Sequence, residues 1–229
     1  MTTNNTLLKH YLVSEDYLPN IKTTRNGKIA KCSKYTVNYT IKAALTCPTR
    51  GKEWSKLELK HDTIDIAPCD SICYACKNFY AMKTSEEAHM RNWGHTLHAG
   101  FSQAMIKHLK AKRKLEAVRI HDGGDFYSAR YLNKWLTVAQ AMPDKIFYFY
   151  TKRVSLLKRY KKAGEIPHNV VVIFSYGGTE DHLIDPMTDR HSVVFDCAEK
   201  MKRNGYVDAS YDDTVAWNSK NHRIGLMIH

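Results

Sequence analysis

The chain has 229 residues, 43% of them hydrophobic, which is enough to bury a core and argues for one folded domain rather than a disordered segment. Lysine and arginine outnumber aspartate and glutamate by 35 to 23, a formal charge of +12. That excess suits a polyanion such as nucleic acid or a phosphorylated substrate, although basic residues on outer helix faces also serve only to solvate a protein. No apolar run approaches the roughly 20 residues of a membrane helix, and MTTNNTLLKHYLVSEDY is neither a signal peptide nor a transit peptide. A cytoplasmic chain is expected, with no membrane partner.

The first 34 residues read as an irregular arm with a turn at Asn26-Gly27, followed by one α/β domain over 35–229. YTVNYTIKAAL (35–45) alternates as a strand does, and DTIDIAP (62–68) is a short strand stopped by Pro68. Thr84 and Glu87 offer a capping box for a helix through Leu97, and FSQAMIKHLKAKRK is a second helical piece. AVRIHDGGDF is a buried strand ending in a polar turn. Ser128 caps the helix ARYLNKWLTVAQAM, which Pro143 ends. KIFYFYT, NVVVIFS, SVVFD and RIGLMI are further strands, with the helix SLLKRYKKA before Gly164.

Strands alternating with helices indicate a mostly parallel sheet, and ligands of such sheets bind at the carboxyl ends of the strands. The polar clusters Cys69–Cys76, Asp122–Asp125, Thr151–Arg153 and Ser175–Gly178 all follow strands, so they are expected on one edge.

Three of the six cysteines, Cys69, Cys73 and Cys76, stand as C-x3-C-x2-C. In a reduced compartment this spacing points to metal ligation rather than disulfides. Soft thiolates select zinc or an iron–sulfur cluster. Structural zinc takes four ligands; a [4Fe–4S] cluster held by three cysteines leaves one iron open to a ligand. Cys47 is either a fourth ligand of such a site or a buried small hydrophobe. Cys32 and Cys197 read as ordinary thiols.

A C-x3-C-x2-C loop followed by a glycine-rich turn after a later strand resembles the radical S-adenosylmethionine superfamily. The resemblance implies a partial (β/α) barrel, a [4Fe–4S] cluster on Cys69, Cys73 and Cys76, and S-adenosylmethionine bound to the open iron. Gly123, Gly124 and Asp125 match the turn that approaches the methionyl amine, and Lys152, Arg153 and Ser175 become candidates for ribose, carboxylate or substrate. Ala75 precedes the third cysteine where that superfamily usually has an aromatic residue. The ordered set CPTRG, CYACK, VRIHDGGDFYSARYLNKW, FYFYTKR and RIGLMIH is similar to the gene product 88 family of phage proteins, with Gly123 where that family more often has serine. This implies a phage or prophage origin, hence a host cytoplasm, and an iron–sulfur, barrel-like protein.

His121 and Asp122 are the candidate acid–base residues, and His121 reads equally well as a satisfied inner-face histidine. The leading expectation is an enzyme of the radical S-adenosylmethionine type acting on a nucleotide or nucleic acid. The alternatives are a zinc- or cluster-stapled nucleic-acid-binding protein and an inactive fold that binds a host factor.

Overall fold

The computed structural model describes residues 19–49, 68–73, 75, 82–218 and 220–228; the expected strand over 62–68 lies outside them apart from Pro68. Helix α1 (Gly27–Ala30) precedes β1 (Thr36–Tyr39), and α2 (Ala43–Thr46) and α3 (Cys69–Ile72) are single turns. The longer helices α4 (Lys83–Leu97) and α5 (Phe101–Lys110) lead into β2 (Ala117–Ile120). Helix α6 (Ala129–Gln140), β3 (Ile146–Thr151), α7 (Val154–Lys162) and β4 (Val170–Ser175) follow in alternation. A 3-10 turn (Asp181–Leu183), β5 (His191–Phe195), α8 (Ala198–Arg203), β6 (Val207–Asp208), α9 (Thr214–Asn218) and β7 (Arg223–Met227) complete the fold.

The strands form one parallel sheet in the order β1-β2-β3-β4-β5-β7-β6, curled into a half-barrel. The expected α/β partial barrel is therefore the observed architecture. An isolated antiparallel bridge, Thr24 to Asn38, adds the preceding chain to the β1 edge. The strands are short and nearly all buried because both faces are covered, as parallel sheets require.

Successive residues of a strand point to opposite faces. In β3, Phe147 and Phe149 enter the main core with Leu132 and Trp135 of α6. Tyr148, one step away, enters a smaller inner cluster with Ile173, Ala216 and Ile224. Ser128 caps α6 as expected, its hydroxyl accepting from the Tyr131 amide. Trp135 and Leu132 are at most 1% exposed, and burial of such side chains contributes roughly 2–3 kcal/mol each.

Three local expectations are corrected. The strand over 35–45 stops at Tyr39, where its pairing with Ile120 ends, and the alanine- and leucine-rich continuation makes the helical turn α2. Asn26-Gly27 is not a free turn: Asn26 is the N-cap of α1 and its side chain accepts from the Ile29 amide at 2.8 Å. Helix α4 begins at Lys83, with Met82 as its N-cap residue and no side-chain cap, so Thr84 lies inside the first turn. The short elements β6, α8 and α9 carry too little periodicity to be expected from sequence. No helix among the described residues is long and apolar enough to cross a membrane.

Candidate functional site

A parallel sheet delivers the loop after every strand to the same edge. Here those loops surround a cavity of about 380 Å³. Its lining includes Cys47, Cys69 and Cys73, the whole turn from His121 to Asp125, Thr151 and Lys152 at the end of β3, and Ser175 and Tyr176 at the end of β4. Val194, Leu226 and Ile228, from the β5 and β7 side, form an apolar wall. The four polar clusters separated in sequence thus share one cavity; Arg153 is instead the N-cap residue of α7.

Cys69 opens α3 and Cys73 is its C-cap residue, while Cys47 caps α2. The Cys69 amide donates to the Gly177 carbonyl at 3.0 Å, which ties the cysteine turn to the end of β4. Asp181 accepts from the amides of Gly177 (2.8 Å) and Gly178 (2.9 Å), shaping that receiving turn. Cys76 lies outside the described residues. Among the described residues no group of three His, Cys, Asp or Glu side chains stands ready to hold an ion. Cys47, Cys69 and Cys73 thus share a cavity wall without forming a ligand set by themselves, and their thiols are of the soft kind that a thiophilic metal takes.

Lys152 donates from Nζ to Ser175 Oγ at 2.7 Å. Burial pulls its pKa down, but the negative groups around it, Cys69, Asp125, Asp181 and Cys47, hold it above the ordinary lysine value. The ammonium, held by Ser175 at the cavity wall, is suited to the carboxylate or phosphate of a ligand.

The turn after β2 is held by its own chain. Gly123 accepts from the Ile41 amide at 3.1 Å. Gly124 has φ +93°, and a Cβ there would lie 2.5 Å from Ile41 Cγ1 and 2.8 Å from Thr46 Oγ1. The buried Asp125 carboxylate accepts from the Phe126 amide (2.7 Å), the Thr151 hydroxyl (2.8 Å) and the Lys152 amide (2.9 Å). Those bonds latch the β2 turn to the end of β3. Burial raises the Asp125 pKa and these hydrogen bonds offset only part of that.

Sequence reasoning missed the polar inner wall. Asp213, completely buried, accepts from Lys28 (2.7 Å), Arg119 (2.7 Å), Tyr148 (2.9 Å) and Tyr150 (3.2 Å). Four donors fill the acceptor capacity of one carboxylate. Arg119 also reaches Asp122 at 3.3 Å, and Asn26 donates to the other oxygen of Asp122. Lys28, Arg119, Asp122 and Tyr150 all line the cavity. The available signal was Arg119 itself, an arginine inside the apolar strand AVRI, which must have an acid partner. Nothing in the sequence says that the partner is 94 positions away.

His121 is 2% exposed and packs against Phe126 and Tyr131. Trp135 donates to the Tyr131 hydroxyl at 2.9 Å, and the same hydroxyl is hydrogen-bonded to His121 Nε2, 2.8 Å away. His121 adopts φ +66°, the left-handed region. Burial first and then the Arg119 charge lower its pKa from 6.5 to about 3. The sign follows directly: the unfolded chain binds a proton below about pH 6.5 that the folded chain refuses. Stability is full above that pH and falls as pH drops, by up to about 1.4 kcal/mol per pH unit, until about pH 3. His95, with its pKa lowered to about 4 by burial and neighbouring charge, adds to the same slope. Urea midpoints are expected to fall between pH 7 and pH 5. His121→Asn, which tolerates positive φ and does not titrate, should flatten about half of that fall; an unchanged slope would refute the assignment.

The family model described as gene product 88 matches residues 12–227. No curated protein and no solved structure matches the chain.

Proposed function

The chain belongs to the gene product 88 family, and on that premise we propose that it is an iron–sulfur enzyme of the radical S-adenosylmethionine type, with a nucleotide or nucleic acid as substrate. One observation carries the reading: Cys69 and Cys73 line the same cavity, at the carboxyl edge of a parallel half-barrel, as the Gly123-Gly124-Asp125 turn. Cys69, Cys73 and Cys76 would hold the cluster. When bound, a cluster with an open iron supplies one electron for cleaving the sulfonium of S-adenosylmethionine.

The chain's own residues have separable tasks. Lys152, steadied by Ser175, presents a cation to a ligand carboxylate or phosphate. Asp125 holds the glycine turn against β3 and has its oxygens engaged in doing so, leaving the backbone of Gly123 and Gly124 as the part that faces a ligand amine. Asp122, fixed by Arg119 and Asn26, is the cavity carboxylate placed to take a proton or to orient a donor. His121, neutral and bonded to Tyr131, acts here by positioning that turn. Val194 and Leu226 make the opposite wall of the cavity apolar.

A second reading has its own observation. Cys47 lines the cavity with Cys69 and Cys73, and together with Cys76 these make a four-thiolate set, the count of a closed structural zinc site. The protein would then bind nucleic acid without chemistry. Iron, sulfide and zinc analysis with absorption spectra on anaerobically purified protein separates the two. About four irons per chain, a brown colour bleached by dithionite, and cleavage of added S-adenosylmethionine are expected. Stoichiometric zinc in a colourless sample would overturn the enzyme reading. Cys73→Ser is expected to lose the iron yet keep its fold, whereas a structural metal predicts unfolding.

A further inference from the structure

Away from the cavity, at the amino edge of the sheet, β5 pairs with β4 only at Phe174 and Ser175. The amino half of β4 therefore lacks a strand neighbour on that side among the described residues. A groove of about 430 Å³ occupies the space, lined by Val170, Val172 and Trp217 together with Lys161, His168 and Arg190. The Trp217 indole N–H is buried and has no hydrogen-bond partner among the described residues. Arg190 is fixed there by the carbonyls of Ala216 (2.9 Å) and Asn221 (3.2 Å). The groove thus offers valine side chains and the Trp217 ring, with basic side chains at its rim.

Its surroundings are basic for a topological reason. Helices α5, α7 and α8 each run directly into a strand, so all their C-terminal ends lie at this edge, and each carries basic residues in its last turn. Exposed Lys161 lines the groove, exposed Lys162 follows it at the end of α7, and Arg113 and Lys114 are exposed between α5 and β2. Asp189 is the acid near Lys161, at 3.5 Å. Basic residues at helix C-termini also compensate the helix dipole, so charge alone would decide nothing. The groove lined by the Trp217 ring is a separate observation at the same edge.

We propose that this edge binds single-stranded nucleic acid, with phosphates along the basic helix ends and one unstacked base in the groove beside Trp217. Duplex bases are stacked and cannot enter such a groove, whereas a single strand can turn a base into it. The six residues of β4 separate this edge from the cavity by roughly 20 Å. The strand would therefore tether the protein without filling the cavity, and the inference does not depend on the cluster reading. Failure of the metal analysis leaves it standing, and failure of nucleic-acid binding leaves the cluster reading standing.

The test is fluorescence anisotropy with a labelled oligodeoxythymidylate and, in parallel, a blunt duplex, across a salt series. The oligonucleotide is expected to bind with strong salt dependence. Lys161→Gln with Lys162→Gln should weaken it at least about five-fold and lower the salt slope by about 0.7 per lost phosphate contact. Trp217→Leu should weaken it about ten-fold with the slope unchanged; its fold is checked by circular dichroism, and the exposed lysine pair keeps the test decisive if it does not fold. Absence of binding by the wild type, duplex binding as tight as that of the oligonucleotide, wild-type affinity in the lysine variant, or undiminished oligonucleotide binding by a folded Trp217→Leu would each overturn the proposal.

Discussion

Asp213→Ala is expected to destabilise the protein by about 3–5 kcal/mol, because it removes the ion-pair partner of the largely buried Lys28 and leaves Arg119 with Asp122 alone. Lys28 and Arg119 lose their shared carboxylate, and the hydroxyls of Tyr148 and Tyr150 lose their acceptor. For a chain of this length the corresponding fall in Tm is on the order of 10 °C. Asp213→Asn keeps the volume and some hydrogen bonding but not the charge, so it should fall between the wild type and alanine. A triple variant that also replaces Lys28 and Arg119 with methionine should recover part of the loss, since an ion network can be replaced by apolar packing more cheaply than it can be broken. Thermal unfolding of the four proteins checks this, and an alanine variant as stable as the wild type would refute it.

The pH dependence of that network has a definite sign. Burial pushes the Asp213 carboxyl up, and the charges of Arg119 and Lys28 outweigh it, leaving the group below its ordinary value. A depressed carboxylate contributes stability that is complete above its unfolded pKa, about 3.9, and that is lost as pH falls through the lower folded value. The Asp213 contribution should therefore persist through the weakly acidic range in which His121 and His95 already weaken the fold. Acid unfolding is expected in two stages, the first set by histidines and the second by carboxylates.

Gly124→Ala carries the other large expected effect. The backbone there has φ +93°, which an L side chain adopts at a cost of about 1–2 kcal/mol. The new methyl would also stand 2.5 Å from Ile41 Cγ1 and 3.1 Å from the Ile41 carbonyl, so the β1 loop or the β2 turn must move. Overpacking of this kind adds roughly 1–3 kcal/mol. The displaced turn carries Asp125, so its hydrogen bonds to Thr151 and Lys152 should weaken as well. A Tm lower by roughly 5–15 °C is expected, together with loss of metal-dependent colour if the turn borders the cluster. Gly27→Ala is the control, since nothing lies within 4 Å of a Cβ at that position. Equal stability of the two variants would show that the turn has slack that its contacts do not suggest.

The parts of the fold that could be read from sequence are those governed by local periodicity. The apolar runs KIFYFYT and NVVVIFS became β3 and β4 within a residue of their limits, and Ser128 capped α6. Alternation of strand and helix implied a parallel sheet, and parallel topology in turn implied that residues after different strands meet on one edge. For that reason Cys69, Cys73, Asp122, Gly123, Gly124, Asp125, Lys152 and Ser175 were candidates for one site before any geometry was known, and all of them line one cavity. Two-residue β6 and five-residue α9 were illegible because elements that short are stabilised by what they pack against.

The α/β class, most strands of the half-barrel and the edge where the polar loops gather were legible in the chain alone. These follow from rules acting over a few residues, or from the polarity that parallel strands impose on their loops. The tertiary structure decided which side chains are spent on the fold. It made Asp125 a latch, set His121 against Tyr131 in a left-handed backbone, and placed Asp213 between Lys28 and Arg119. It also left the lower edge of β4 open beside Trp217. The physical reason is that charge pairing and hydrogen-bond saturation depend on distances in space, and residues 94 positions apart in the chain, such as Arg119 and Asp213, have no sequence signature of meeting.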